Sequence, residues 1–427
     1  MAPSVKPAPI WWSNAVFFVG MHLAGLAGVL WIQPWNRTSY ATRFLCLVSW
    51  EFSSIGISLG YHRLWSHRSF TARKSLRIAL ALMGSLGFQG SIQCMCLRHR
   101  LHHRYTDDPV HDPYCATRGL LFSHLGWIFT KPTYERMNLV DKSDLERDQV
   151  VRFQHKYYLP LALFMGLILP ALIASLWNDA LGGFIWAGIV TRLIGWHCTF
   201  SVNSLAHWQG LQPFTDEITA RGNLILALLT SGEGNHNFHH TFPQDYRAGP
   251  SSFDWDPCKW IITTLYRYTD LVTSVKSVQD EEIQEAQEYM NARRKQQEES
   301  NQSLAAVGFM HAPFNLFHDS SDTAFEIWDE AQLYAYIEAL GDYAVVLVID
   351  AWIVDASQYF SEHPGGAALL KKYALRLSIG DGGRPVGNLN GEGSADWAFH
   401  TMNHHSRHAL RKLSGMRVAR LRVASDP

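Results

Sequence analysis

The chain has 427 residues, 37 Lys plus Arg against 38 Asp plus Glu, and a formal net charge of -1. Such a length predicts two or three folded units, and so even a charge balance gives no ground for a nucleic-acid partner. The hydrophobic share, 47 %, is unremarkable only as an average. Apolar and polar residues are sharply partitioned along the chain.

From Ile10 to Asn36 there is no Asp, Glu, Lys or Arg. The stretch is long enough to cross a bilayer. It also exceeds the apolar core of a signal peptide, so it is expected to be retained. "FLCLVSWEFSSIGISLGY" (Phe44 to Tyr61) carries only Glu51, and Tyr158 to Trp177 and Leu181 to Phe200 form a second apolar pair. These predict four transmembrane helices in two hairpins. The connectors, residues 37–43 and 178–180, would lie on one membrane face and the remaining polar chain on the other. Residues 62–157 contain Arg63, Arg68, Arg73, Lys74, Arg98, Arg100 and Arg104. The positive-inside rule therefore places that face, and both termini, in the cytosol.

Ile78 to Leu97 is also uncharged. Were it a span, the histidines before and after it would sit on opposite sides of the membrane and could share no site. It is read instead as buried or re-entrant on the cytosolic side. The six cysteines, at 46, 94, 96, 115, 198 and 258, show no paired framework, which fits a reducing compartment.

The 21 histidines carry the chemical signal. "HRLWSH" supplies His62 and His67, "HRLHH" His99, His102 and His103, and "HNFHH" His236, His239 and His240. Residues at i, i+3 and i+4 share a helix face, so each HxxHH set can turn its imidazoles into a single cavity. The i, i+5 spacing of His62 and His67 fits no single face of a straight helix and predicts a helix end or bend. Polar groups at the edge of apolar segments are costly unless partnered, and shared metal ligation supplies partners. Imidazole suits zinc, copper, iron or nickel. A structural zinc uses four ligands, so two metal ions fit the count better.

"GYHRLWSHRSF", "HRLHHRYTDD", "NSLAHWQG" and "SGEGNHNFHHTFPQDYR" resemble the membrane acyl-CoA desaturases of the stearoyl-CoA Δ9 type, fungal members above all, from about residue 10 to 275. The resemblance implies a di-iron centre held by nine histidines and a water, with His207 as the ninth ligand and Asn203 holding the water. It implies four transmembrane helices beneath a cytosolic cap, an endoplasmic reticulum membrane, and fatty acyl-CoA and membrane lipid as partners. Dioxygen would be the co-substrate. Iron rather than zinc is required because attack on an unactivated methylene needs redox chemistry that zinc lacks. The sequence departs from the family at "QCMC" before the second histidine group, where aromatic residues are usual, and "YTDDPVHDPY" is one residue longer.

After Val275, "KSVQDEEIQEAQEYMNARRKQQEESNQS" reads as a solvated helix and residues 301–323 as a linker. β-branched strand runs then lead to a His-Pro-Gly-Gly turn. "VIDAWIVDASQYF", "HPGG" and "AFHTMNHHSRHALRKLSGMRVARL" resemble a cytochrome b5 domain over residues 324–422. That implies haem b between His363 and His405, with His404 the rival for the second position, and electrons from NADH through cytochrome b5 reductase. The stretch "LSIGDGGRPVGNLNGEGS" between the two histidines is longer and richer in glycine than a b5 loop.

Cys46, Trp50 and Ser54 recur every four residues on the helix entering the first histidine group, and would line an acyl tunnel that Trp50 limits. Arg63, Arg68, Arg98 and Arg104 would attract the phosphates of coenzyme A. His124 in "FSHLGW" follows the family pattern near the substrate. His111, His155, His197 and His400 are assigned to packing or surface. The expectation is an all-α membrane enzyme with four transmembrane helices and a cytosolic helical cap (1–275), a charged helix and linker (276–323), and an α+β cytochrome b5-like domain (324–422). Its reaction would be cis desaturation of a saturated acyl-CoA at C9. The rivals are a related lipid hydroxylase or sphingolipid desaturase, and a non-catalytic metal- or haem-binding membrane protein.

Overall fold

The computed structural model describes residues 8–306, 325–341, 344–359, 363, 367–377, 385–389, 391–401, 405 and 407–422. Contacts divide the chain into two compact units, 1–285 and 286–427. The division falls within the helix Asp280–Ala306, which is the charged segment expected after residue 275.

The first unit is helical. α1 (Trp12–Ala27) runs on through a π-helical turn, Gly28–Ile32, and α2 (Tyr40–Ile55) through a longer π-helical segment, Gly56–Ser66. Among the described residues three helices are long and apolar enough to cross a membrane: Trp12–Ile32, Tyr40–Ser66 and Tyr158–Ser175. The fourth expected span is helical from Ala180 through a π-helical stretch, Gly183–Val190, to Ser204, but Arg192 and His197 lower its hydropathy and it falls outside that group. Arg192 is buried there, its guanidinium donating to the carbonyls of Leu86 and Ser49 at 2.8 and 3.3 Å. Asp179 draws the two connectors together. Its carboxylate accepts from the Ser39 N–H at 2.9 Å, the Thr42 hydroxyl at 2.7 Å and the Gln33 amide at 3.1 Å. Ser39 also caps α2 by accepting from the Thr42 N–H.

The apolar stretch 78–97 is not one helix. α3 (Lys74–Leu86) ends before Gly87, and α4 (Ile92–Arg104) begins after Ser91, whose hydroxyl accepts from the Cys94 N–H. Gly90, at φ 98°, makes the turn between them, a conformation that glycine adopts without strain. Each helix has 13 residues, short of the roughly 20 needed to span. α3 packs along α2 where Gly56 and Gly84 meet backbone to backbone; a Cβ on Gly56 would strike the Gly84 nitrogen. The core beside this crossing gathers Ile57, Leu59, Tyr61, Trp65, Leu80 and Ile92. A short antiparallel pair, β1 (Phe70–Ala72) with β2 (Val272–Val275), ties the chain after His67 to the end of the unit.

The second unit holds a four-stranded sheet in the order Ile327–Trp328, Arg417–Leu421, Trp352–Asp355, Val346–Ile349, with only the first pair parallel. The expected strand runs form a hairpin whose two-residue turn, Asp350 and Ala351, has φ 51° and 62°. Val346 and Val348 face Leu333 and Ile337 of the helix Glu330–Leu340. Val345, Leu347 and Ile349 face Ala374, Ala395 and Leu413 on the other side. This alternation is the two-residue period of a strand buried on both faces.

Candidate metal centre and acyl cavity

His62 lies inside the π-helical segment and His67 caps it, the His67 N–H donating to the His62 carbonyl at 3.0 Å. That i to i+5 bond is the π-helical repeat, and it brings the two imidazoles together edge to face, with ring centroids 4.8 Å apart. α4 supplies His99, His102 and His103, the helix His236–Thr241 supplies three more, and His207 ends the 3-10 turn Leu205–His207.

These nine side chains form two groups: His62, His67, His99, His103 and His239 in one, His102, His207, His236 and His240 in the other. The i, i+3, i+4 spacing did not say how the rings of each HxxHH set would divide. Each set splits between the groups, because i+3 and i+4 lie on opposite flanks of the shared face. The Nε2 atoms crowd inward: His67 to His99 at 2.7 Å, His62 to His239 at 3.0 Å, His103 to His239 at 3.0 Å, His207 to His236 at 3.1 Å.

The outward nitrogens of His62, His102 and His207 are held by partners that sequence reading missed. Glu233 lies 3.1 Å from His62 Nδ1, and Asp112 accepts from His102 Nδ1 at 2.8 Å. The Thr219 hydroxyl donates to Asp107 and accepts from His207 Nδ1 at 2.8 Å. These partners fix the Nδ1–H tautomer and leave Nε2 lone pairs facing the group centres. Burial, reinforced by the neighbouring imidazoles, pushes His99, His103, His236, His239 and His240 well below the usual histidine range, so they stay neutral and able to ligate. His207 is brought down to about 3, again chiefly by burial. Burial alone would raise the Glu233 carboxyl, but His62 and Arg63 hold it at about 2. His102 Nε2 is buried with no protein partner. An orphaned lone pair amid neutral imidazoles fits a metal ion. "GEGN" and "DPVHDPY" contained Glu233 and Asp112, but single acids in loops carry no periodic signal.

A cavity of about 590 Å³ opens beside the groups, and its wall includes His62, His99, His102, His236 and Asn203. Of the proposed substrate residues, Trp50 and Ser54 line it. Cys46 does not: it packs against Leu45, Ala174 and Ala187, its thiol donating to the Thr42 carbonyl. Arg63 is a further correction. It is buried, paired with Asp256 at 2.9 Å and Glu233 at 3.3 Å, and reaches no coenzyme A. Arg68 is paired with Asp141 and Asp144, and Arg104 donates to the Leu139 carbonyl. Arg98 lines the cavity. His124 lies behind the wall rather than in it, 2.9 Å from the Ser204 hydroxyl and 3.1 Å from His197, which is 3.1 Å from His22. His197, assigned to packing or surface, thus joins a chain of three imidazoles. His155, assigned likewise, lines the cavity and lies 2.7 Å from the Ser91 hydroxyl. His363 and His405 lie in the second unit, where the His405 ring stacks on Phe399 at 3.8 Å. His404 lies outside the described residues.

Residues 38–247 match the pattern of the fatty acid desaturase family, a range that contains all nine histidines. A probable acyl-CoA desaturase of Schizosaccharomyces pombe is 40% identical over 274 residues, 64% of this chain and 56% of that protein. Acyl-CoA desaturase 1 of Saccharomyces cerevisiae is 36% identical over 365 residues, 84% of this chain and 67% of that one. Delta(9)-fatty-acid desaturase fat-7 of Caenorhabditis elegans is 36% identical over 277 residues, covering 64% and 81%. The chain belongs to the fatty acid desaturase family. This desaturase spans between half and about two thirds of the length of the two fungal relatives. Its histidine groups are compatible with a di-iron site. The 365 matched residues exceed the 285 of the first unit, so similarity to the S. cerevisiae protein continues into the second.

Proposed function

We propose that this desaturase uses dioxygen to place a cis double bond, at C9, in a saturated fatty acyl-CoA. The observation that carries the reading is the pair of histidine groups, five and four, facing one cavity of a size that suits a single acyl chain. The names of its relatives, acyl-CoA desaturase and Delta(9)-fatty-acid desaturase, support the substrate and position.

Two irons, when bound, supply the dioxygen activation needed to take two hydrogens from neighbouring methylenes. The chain's own residues do the rest. Glu233, Asp112 and Thr219 orient the imidazoles, burial keeps those imidazoles neutral, and to Asn203, on the cavity wall, we assign the holding of a water. Aromatic walls, Trp50 among them, confine the chain and exclude solvent.

Dioxygen reduction also needs two electrons from outside. We assign their delivery to the second unit, carrying haem b between His363 and His405 and fed by NADH through cytochrome b5 reductase. Bis-histidine ligation suits electron transfer because no iron position stays open. The resemblance of residues 324–422 to a cytochrome b5 domain, with His363 and His405 at the axial positions, supports this. Four transmembrane helices in the endoplasmic reticulum, with both termini cytosolic, are supported by the connectors that Asp179 joins and by the basic residues on the opposite side.

The test is turnover by the purified full chain with stearoyl-CoA, NADH and cytochrome b5 reductase, with the double bond located by mass spectrometry. Oxygen-dependent formation of the Δ9 product is expected. A hydroxylated product, or NADH oxidation without new unsaturation, would contradict the reading.

A further inference from the structure

Arg98 differs from the arginines that carry the ion pairs around the site. Arg63, Arg68, Arg77 and Arg100 each hold a carboxylate within 3.3 Å. Among the described residues no carboxylate pairs with Arg98, whose electrostatic neighbours are the phenols of Tyr114 and Tyr134. Its guanidinium lies 4.9 Å from the Trp127 ring centroid and 5.8 Å from that of Tyr114. Arg98 Nε and Trp127 Nε1 are both buried and both lack an acceptor. Both residues line the acyl cavity.

Two buried N–H groups without acceptors are costly, and the guanidinium that carries one of them has phenols rather than a carboxylate as its partners. The deficit is removed by an oxygen that accepts and does not donate. An acyl chain carries such an oxygen only at C1, as a thioester carbonyl or, in a free fatty acid, a carboxylate. We infer that Arg98 and Trp127 bind the C1 oxygen of the acyl chain and thereby set how far the chain is inserted. This rests on the acyl-CoA reading above.

The placement suits the reaction. The Tyr114 ring neighbours both sites, its centroid 5.4 Å from that of His102 and 4.9 Å from that of Trp127. A chain anchored at Trp127 therefore presents methylenes remote from C1, not its head, to the histidine groups. Arg98 and Trp127 are positioning residues in this scheme, since neither reaches the reacting carbons.

The test compares ligands that differ only at C1, using the full-length protein in detergent and isothermal titration calorimetry. The probes are palmitoyl-CoA, its thioether analogue hexadecyl-CoA, and free palmitate as competitor. Wild type should prefer the thioester by roughly ten-fold, the size of one buried charge-assisted hydrogen bond. Trp127→Phe keeps the ring and loses the N–H, and should reduce the preference to two- or three-fold. Arg98→Met should remove it while thioether binding stays at the wild-type level. Palmitate competition that Arg98→Met abolishes would extend the site to the carboxylate; no competition would confine it to the thioester. Equal binding of thioester and thioether by wild type, or a preference that survives in both variants, would overturn the inference. Failure of wild type to bind either coenzyme A ligand would overturn the acyl-CoA reading itself. If Arg98→Met does not fold, Trp127→Phe alone decides, because it removes the N–H without changing charge and the thioether measures its packing effect.

Discussion

Imidazole nitrogens 2.7–3.1 Å apart repel through their lone pairs unless a proton or a cation lies between them. With the Nδ1 protons committed to Glu233, Asp112 and Thr219, the inward Nε2 atoms have a cation as their natural partner. Removing one outer acceptor frees an imidazole to rotate. Asp112→Asn is expected to lower iron affinity by roughly 10- to 100-fold, read by competition with a chelator. Unchanged affinity would mean that Asp112 does not orient His102. Trp50 belongs to the same scale. It lines the cavity wall, so Trp50→Ala should shift the products towards longer chains in a fatty acid profile, and an unchanged distribution would remove its role as a limit. Eight of the histidines were legible because clustered polar residues at apolar edges demand a reason, whereas His207, standing alone in its segment, came only through the family resemblance. Their holders were not, and the fate of Arg63 could not be read either: a sequence shows a charge but not the Asp256 and Glu233 that neutralise it.

At the scale of elements, the His67 and His99 groups are braced by a shared ion network. Asp144 accepts from Arg68 at 2.6 and 2.9 Å and from Arg100 at 2.7 and 2.9 Å, and each arginine is the neighbour of a site histidine. Burial would raise the Asp144 carboxyl, but the two guanidinium groups hold it well below the usual range. A depressed carboxyl contributes stability above its unfolded value, near 4, and loses it as pH falls below that towards the native value. Asp144→Asn should therefore cost roughly 1–2 kcal/mol at neutral pH, seen as a lower Tm, and flatten the loss of stability below about pH 4. A variant with wild-type Tm at pH 7 would contradict this. The α2–α3 crossing is a second device. Gly84→Ala drives a methyl into the Tyr61 ring, and a loss of about 3 kcal/mol or failure to fold is expected in fluorescence-detected gel filtration. The π-helical winding of residues 56–66 was foreshadowed only by the i, i+5 spacing of His62 and His67, because hydropathy does not distinguish 3.6 residues per turn from a wider helix. That 78–97 is no span was legible through logic rather than composition, since the histidines on either side had to meet, whereas the break at 87–91 was not read.

For the whole molecule, the division into a helical unit rich in apolar spans and a smaller unit with a mixed sheet follows from the change of composition after Val275. The strand hairpin of the second unit was legible in its β-branched runs, and the splitting of the histidines into five and four was not, because spacing alone cannot say which flank of a helix each ring takes. The fusion itself makes a prediction. A tethered donor works at high effective concentration, so His363→Ala should cut turnover far more when no separate cytochrome b5 is present than when it is added in excess. Oxygen uptake with stearoyl-CoA checks this, and equal loss under both conditions would place His363 outside the electron path.

The central claim is that the paired histidine groups carry out acyl desaturation. Its most direct test is expression in cells lacking their own Δ9 activity, comparing wild type with His103→Ala and locating double bonds in the cellular fatty acids. Δ9 products from wild type that vanish in His103→Ala are predicted; no new unsaturated fatty acid from well-expressed, iron-loaded wild type, or products that persist in the variant, would contradict the account.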